Sequence, residues 1–283
     1  MDTKKRKALF LDLDGTLLTD DKMIPQGNRD AIDEMLRQGH SVIIATGRPL
    51  SSAVLQAERL GLTSRGCYII AFNGGVLYDT FERRVIYRST IPLDFVRKAF
   101  AEANRRGIHI QTYRDDRVIV EPAGDDGIVR QYCSRMLVEE EVIPDIALLD
   151  EEPVKMLIID PDDTGPLHSF REWIGTWADG VLDTFFSSSE YVEIVSKGLN
   201  KGNALLQMAD ILGIDRSDTV AAGDAANDIS MIEAAGLGCV MCNGTDDVKS
   251  VADYVTERDN NNCGVAEIIG KFILERQFAG DQD

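Results

Sequence analysis

Two aspartates, Asp12 and Asp14, interrupt and end an apolar run, Ala8-Leu9-Phe10-Leu11, and are followed at once by Gly15-Thr16. An apolar strand should not carry carboxylates without a reason. A buried ionised carboxylate costs several kcal/mol unless it is paired or bound to a metal. Residues at i and i+2 share one side of a strand. Both aspartates fall at the carboxyl end of the run, where open α/β sheets place ligands. Two convergent carboxylates call for a cation, and oxygen ligands alone favour Mg²⁺ over zinc or copper. The competing reading is a solvated Asp-Leu-Asp-Gly turn, since Asp-Gly is a common turn pair.

Three further groups bear on that choice. Thr46-Gly47-Arg48 ends the next apolar stretch. A hydroxyl, an amide freed by glycine and a following helix start can cradle an anion, although such a triplet also serves as a plain turn. Gly223-Asp224-Ala225-Ala226-Asn227-Asp228 follows the apolar stretch Thr219 to Ala222. An N-cap explains one acidic residue there well, and three polar side chains in five positions less well. Asp224 is the candidate metal ligand. Asp228, one helical turn on, is a candidate to act through water or from behind the direct ligands. Lys201 begins a predicted helix, where its charge opposes the positive end of the helix dipole. That placement is poor for stability and good for meeting a phosphate, although a solvated surface lysine is the generic reading.

The elements that must position these residues are legible from periodicity. Strands are predicted at Ala8 to Leu13, Ser41 to Ala45 and Cys67 to Phe72, with helices from Pro25 to about Gln38 and from Pro49 to about Leu60. Alternation of buried strands and helices signals a doubly wound parallel sheet, that is, a Rossmann-like α/β core. From Val76 the pattern changes to adjacent strands and short connections, including a helix from Pro92 to Arg106, which reads as an α+β unit. The acidic stretches Glu139 to Glu141 and Asp150 to Glu152 read as solvated faces. The first pattern returns after Lys201 and ends in a helix from Val265 to about Arg276. The expected division is a core of residues 1–82 and 190–283 interrupted by an inserted domain, residues 83–189.

Composition bounds the function. Lys and Arg number 30 against 48 Asp and Glu, for a net charge of −18. So acidic a chain repels nucleic-acid backbone and anionic membrane, and no nucleic-acid or membrane partner is expected. Lys4-Lys5-Arg6-Lys7 is short and reads as a solvated tail. No secretory or membrane-length apolar run is visible, so a cytoplasmic location is expected. Five cysteines, an odd number, argue against a disulfide framework. Cys239-Val-Met-Cys242 has CxxC spacing but no second pair to complete a zinc site. An anionic substrate would meet a repulsive surface, so its site needs local positive charge, most simply a metal ion and a lysine.

These motifs, in this order, resemble the haloacid dehalogenase (HAD) superfamily of phosphotransferases. The matching pieces are Asp12-Leu13-Asp14-Gly15-Thr16 after a hydrophobic strand, Thr46 at the end of the next, Lys201 in Asn200-Lys201-Gly202, and Gly223 to Asp228. Asn73-Gly74-Gly75, Met241-Cys242-Asn243-Gly244 and Gly264-Val265 are similar to the Cof-type phosphatases within it. Ala225-Ala226, Cys242 and Gly244 depart from the common pattern without removing a catalytic group. The resemblance implies a HAD core with an inserted α+β cap of the C2 type B form, which would close over the site, exclude water and select the leaving group. It implies Mg²⁺ as cofactor and a small-molecule phosphate ester, sugar phosphates first, as substrate. Asp12 would be the nucleophile and a metal ligand. Asp14 would be the general acid/base, touching the metal through its carbonyl. Thr46, Gly47, Lys201 and Asn227 would bind the phosphate, and Asp224 and Asp228 would complete the metal site. The alternatives are a phosphomutase of the same fold and a catalytically silent metabolite-binding protein.

Overall fold

The computed structural model describes residues 5–122 and 127–275. Lys4 of the basic run and Arg276, the expected end of the last helix, lie outside the described residues. The chain first forms β1 (Ala8–Leu11), α1 (Gln26–Arg37), β2 (Ser41–Ala45), α2 (Leu50–Leu60), β3 (Cys67–Ala71), β4 (Val76–Asp79) and β5 (Arg84–Arg88). It continues with α3 (Leu93–Arg106), β6 (His109–Tyr113), β7 (Arg117–Val120), α4 (Ile128–Met136), β8 (Glu139–Val142), β9 (Lys155–Ile159), α5 (Thr164–Gly175), β10 (Leu182–Ser188) and β11 (Tyr191–Ser196). It closes with α6 (Lys201–Leu212), β12 (Thr219–Gly223), α7 (Ile229–Ala234), β13 (Leu237–Val240), α8 (Asp246–Lys249), β14 (Tyr254–Val255) and α9 (Gly264–Ile268).

The chain divides into two compact units. The first holds the described residues up to Thr46, Gln56–Val85 and those from Asn200 on. Its eight-stranded sheet has the order β14-β13-β12-β1-β2-β3-β4-β5. Every residue of β1 and β2 is buried, so both strands are covered on both faces. That burial explains why they read as unbroken apolar runs rather than alternating ones. β1 pairs in parallel with β2 on one side and β12 on the other. The chain therefore winds outward through β2 and β3, then returns to wind the other way through β12, β13 and β14. The carboxyl ends of β1 and β12 meet where the winding reverses, and at such a switch point an open α/β sheet leaves a crevice. The register aligns those ends, with Leu11 opposite both Ala222 and Ile44.

The second unit holds Gly47–Leu55 and Ile86–Leu199. Its six-stranded sheet runs β10-β11-β9-β6-β7-β8. One face carries Ile110, Met156, Ile158, Val192 and Ile194, packed with Phe100 of α3 and Phe170 of α5 in one buried cluster. Each such side chain contributes about 1.5–3 kcal/mol of burial. The alternate positions of the same strands carry His109, Gln111, Tyr113, Lys155 and Glu193, all buried. They engage one another: Gln111 donates to the Tyr113 hydroxyl at 2.8 Å, Tyr113 to the Tyr132 hydroxyl at 2.9 Å, and Lys155 lies 3.0 Å from Glu193.

One expectation needs correction. The return to the first unit is expected at residue 190, but β11 pairs with β9 and β10 in the second sheet, and the first unit resumes at Asn200. An apolar strand reads the same in either sheet, and only its partners decide. Glu139 to Glu141, expected as a solvated face, does stay exposed or half-buried, and it forms β8, parallel to β7. An edge strand tolerates charge, and Glu141 is paired with Arg114 at 3.1 Å and Arg117 at 3.7 Å.

Candidate active site

Three elements of the first unit, β1, β12 and α6, converge at the carboxyl edge of the sheet. Asp12 follows β1 and is held in line by its backbone N–H, which donates to Ala222 O at 3.0 Å. Asp224 and Asp228 follow β12. Lys201 opens α6, whose N-cap residue Asn200 accepts from the Asn203 N–H at 2.8 Å. The Lys201 side chain is fully buried, and its ammonium donates to Asp12 Oδ1 at 2.6 Å and Asp228 Oδ1 at 2.7 Å. The solvated-lysine reading is thereby excluded. α6 can approach α7 this closely because residue 202 is glycine: a Cβ there would stand 2.1 Å from Ser230 O.

Asp228 is consumed by the protein itself. Its Oδ1 accepts from Lys201, and its Oδ2 accepts from the backbone N–H groups of Asp224 at 3.1 Å and Ala225 at 3.2 Å. It therefore fixes both the lysine and the loop that carries Asp224. Asp224 is half-buried and accepts from the buried Thr16 hydroxyl at 2.9 Å. The chain passes from Asp12 to Thr16 by a turn in which Gly15 has φ +81, and a Cβ there would stand 2.4 Å from Asp224 Oδ2. The turn cannot carry a side chain without displacing that carboxylate.

Carboxylate oxygens of Asp12, Asp224 and Asp228 lie within 4.8 Å of one another. Burial raises the Asp12 carboxyl first of all. Lys201 opposes the rise, but the Asp228 and Asp224 charges add to it, and the group stands at about 7. Burial likewise lifts Asp224 to about 6, against its Thr16 hydrogen bond, with Asp228 contributing. Burial works to lower Lys201, but its two carboxylate partners outweigh that and hold it above its ordinary value. Three carboxylates facing one ammonium leave an excess of two negative charges that the protein does not balance. A divalent cation with a preference for oxygen fits that donor set, and Mg²⁺ is the common one.

The other predicted residues are placed as follows. β1 ends at Leu11, so strand alternation does not carry Asp14 to the same side as Asp12. Its carboxylate stands outside the trio, 43% exposed, and accepts from Lys22 Nζ at 2.7 Å. Thr46 is buried one residue beyond β2, with its N–H on Ile70 O at 2.8 Å and its carbonyl accepting from Asn73 N–H at 3.0 Å. Gly47 opens the stretch that belongs to the second unit. Asn227 is exposed in the short turn before α7. Sequence reasoning gives no role to Lys22, and to Asn243 only a place in the motif Met241 to Gly244; the structure shows Asn243 Nδ2 donating to Gly15 O at 2.8 Å. No spacing encodes that contact, since Asn243 lies more than two hundred residues away in the chain. Cys239 and Cys242 are free thiols, and burial pushes Cys239 up to about 12, which suits no redox role.

A buried aspartate–lysine site at the switch point of a doubly wound sheet is the architecture of an enzyme that handles anionic groups. The comparisons narrow the class. A model of the haloacid dehalogenase-like hydrolase family matches residues 9–269, and the chain belongs to that family. It is 30% identical to a Streptococcus pyogenes serotype M6 protein named as a phosphatase, over 95% of this chain and 98% of that one. It is 29% identical to the 5-amino-6-(5-phospho-D-ribitylamino)uracil phosphatase YitU of Bacillus subtilis, over 96% and 99% of the two chains. A haloacid dehalogenase-like hydrolase from Bacteroides thetaiotaomicron superposes with a TM-score of 0.85 at 29% identity, covering 94% of this chain and 99% of that one. The enzyme class is phosphoric monoester hydrolase. Among the described residues no helix is long and apolar enough to cross a membrane.

Proposed function

We propose that the chain hydrolyses small phosphate monoesters, sugar phosphates foremost, with Mg²⁺ and through a phosphorylated Asp12. The observation that carries this reading is the Lys201 ammonium held between Asp12 and Asp228 beside Asp224. The substrate class draws support from the relative named for a phosphate on a ribityl chain.

Asp12 and Asp224 would hold the metal, with Asp228 behind them. Bound there, Mg²⁺ neutralises charge on the phosphoryl oxygens and on Asp12. Lys201 engages only Oδ1 of Asp12, and among the described residues Oδ2 carries no hydrogen bond. An Asp12 oxygen attacks phosphorus in line, the ester P–O bond breaks, and its electron pair leaves with the alkoxide. Asp14 gives that oxygen a proton. Water then attacks the same phosphorus and Asp14 takes its proton, so that Asp12 leaves as carboxylate and inorganic phosphate is released. Lys201 and Thr46 stabilise the phosphoryl charge throughout, with Asn227 at the edge of the site.

The test is phosphate release from p-nitrophenyl phosphate and a panel of sugar and polyol phosphates, with Mg²⁺ and with EDTA, and no bisphosphate activator. Turnover should require Mg²⁺ and vanish in Asp12→Ala. Equal rates in EDTA, or an active Asp12→Ala enzyme, refute the mechanism.

A further inference from the structure

Lys22 sits in a backbone conformation that suits it poorly. Its φ is +61, in the left-handed region that glycine and asparagine favour. The turn around it is tight: Lys22 N–H donates to Thr19 O at 2.9 Å, and Thr19 N–H donates to Met23 O at 2.8 Å. That turn is also pinned from outside. Asp20 N–H donates to Asn261 Oδ1 at 3.1 Å, and the Asp20 carboxylate accepts from Asn260 and Asn261, each at 3.2 Å. Asn260 also donates to Leu18 O at 2.9 Å, and its backbone N–H reaches Asn243 Oδ1 at 3.2 Å. The same Asn243 holds Gly15 O. One asparagine-bonded network therefore fixes both the turn that bears Lys22 and the turn that follows Asp14.

The ion pair between Lys22 and Asp14 spans 2.7 Å, with side chains 60% and 43% exposed. Exposed pairs of this kind add little to stability. Stability therefore explains neither a lysine where glycine would be easier nor the effort of pinning its turn. What the contact does is hold one carboxylate, that of Asp14, in one orientation. Backbone strain kept in this way points to a function.

We propose that Lys22 is a positioning residue for the reaction, holding the Asp14 carboxylate where it meets the leaving oxygen. This inference rests on the reading of Asp14 as acid and base given above. General acid catalysis demands hydrogen-bond reach and alignment, so an unheld carboxylate loses rate without losing substrate affinity. The demand depends on the leaving group. An alkoxide must be protonated as it departs, whereas p-nitrophenolate is stable as the anion.

The experiment compares wild type, Lys22→Gly and Lys22→Arg as full-length chains with Mg²⁺, on p-nitrophenyl phosphate and on a sugar phosphate that the wild type turns over. Thermal unfolding is measured alongside. Lys22→Gly removes the ammonium while relieving the positive φ, so its melting temperature should hold or rise. Its single-turnover rate of leaving-group release should fall about 10- to 100-fold on the sugar phosphate and clearly less on p-nitrophenyl phosphate. KM should stay within about twofold, and Lys22→Arg should recover most of the rate. An unchanged release rate in Lys22→Gly overturns the inference while leaving the phosphatase reading intact. So does an equal loss of release rate on both substrates, a loss carried by KM, or a loss that follows a lowered melting temperature. No Mg²⁺-dependent turnover by the wild type overturns both.

Discussion

Replacing Asp228 by asparagine is the sharpest perturbation of the site, because it removes a charge and almost no volume. Three donors face this side chain: Lys201 Nζ at 2.7 Å on Oδ1, and the N–H groups of Asp224 and Ala225 at 3.1 and 3.2 Å on Oδ2. An amide has one oxygen to offer them. If its NH₂ faces Lys201, a fully buried ion pair is broken, at about 3–5 kcal/mol. If it faces the loop, two backbone N–H groups lose their acceptor, at about 1–3 kcal/mol each. The two orientations, about 3–5 and about 2–6 kcal/mol, share a loss of about 3–5 kcal/mol. At about 2–4 °C per kcal/mol, the melting temperature should fall by roughly 6–20 °C. The kinetic signature separates two roles for Asp228. As the anchor of Lys201 and of the Asp224 loop, its loss lowers kcat in a way that excess Mg²⁺ does not restore. As a direct metal ligand, its loss would raise the Mg²⁺ concentration needed and be overcome by more metal. Thermal unfolding by circular dichroism and a Mg²⁺ titration of phosphate release read both quantities. An Asp228→Asn protein that melts within about 1 °C of wild type, or that recovers full kcat at high Mg²⁺, refutes the anchoring argument.

Two further outcomes follow from the same geometry. Gly15→Ala puts a Cβ 2.4 Å from Asp224 Oδ2 at a φ of +81. The left-handed backbone alone costs roughly 1–2 kcal/mol, and the Asp224 carboxylate must move, so Mg²⁺-dependent turnover should be lost while the protein still folds; unaltered metal dependence would contradict the placement. In metal-free protein, Asp12 and Asp224 stand at about 7 and about 6, above their ordinary 3.8. Over that interval the native state binds more protons than the unfolded state, so stability falls as pH rises. A cation on these carboxylates offsets the fall, and the rise in melting temperature on adding Mg²⁺ should be larger near about pH 7.5 than near about pH 5. Equal shifts at both pH values would count against these carboxylates as the metal site.

How far the sequence speaks for itself differs from residue to residue. Asp12 could be read because burial makes a carboxylate in an apolar run anomalous, and that anomaly is local. Lys201 could be read because a cation at a helix start is electrostatically misplaced unless something anionic faces it. Strand alternation does not place Asp14, because the strand stops at Leu11 and a glycine turn takes over. Asp228 could be seen as part of the site, but its engagement by three donors depends on α6 and the β12 loop meeting, which no spacing encodes. β8 hid for a related reason: three glutamates oppose strand propensity, and their arginine partners Arg114 and Arg117 come from elsewhere in the chain. The network of Asn243, Asn260 and Asn261 is wholly non-local, and asparagines in a polar stretch look like any other loop.

Charge ties the site together. Substrate approaches a chain of net charge −18 and must enter a crevice that itself holds three carboxylates and one ammonium. A phosphate monoester would be repelled from that crevice more strongly than from the rest of the surface. Burial deepens the difficulty, because charges in a low-dielectric pocket are screened least. Yet among the described residues Lys201 is the only lysine paired with this trio. It serves both Asp12 and Asp228, which leaves an excess of charge that a divalent cation would cancel. Under the proposed function, a site left short of positive charge in this way would bind phosphate only with a metal. Burial first, and the Asp228 and Asp224 charges after it, lift Asp12 toward neutrality without a metal, and a bound cation would favour its ionised form. On the proposed reading the acidic cluster and the buried lysine are one device, in which a cation would make the nucleophile and the anion site competent together.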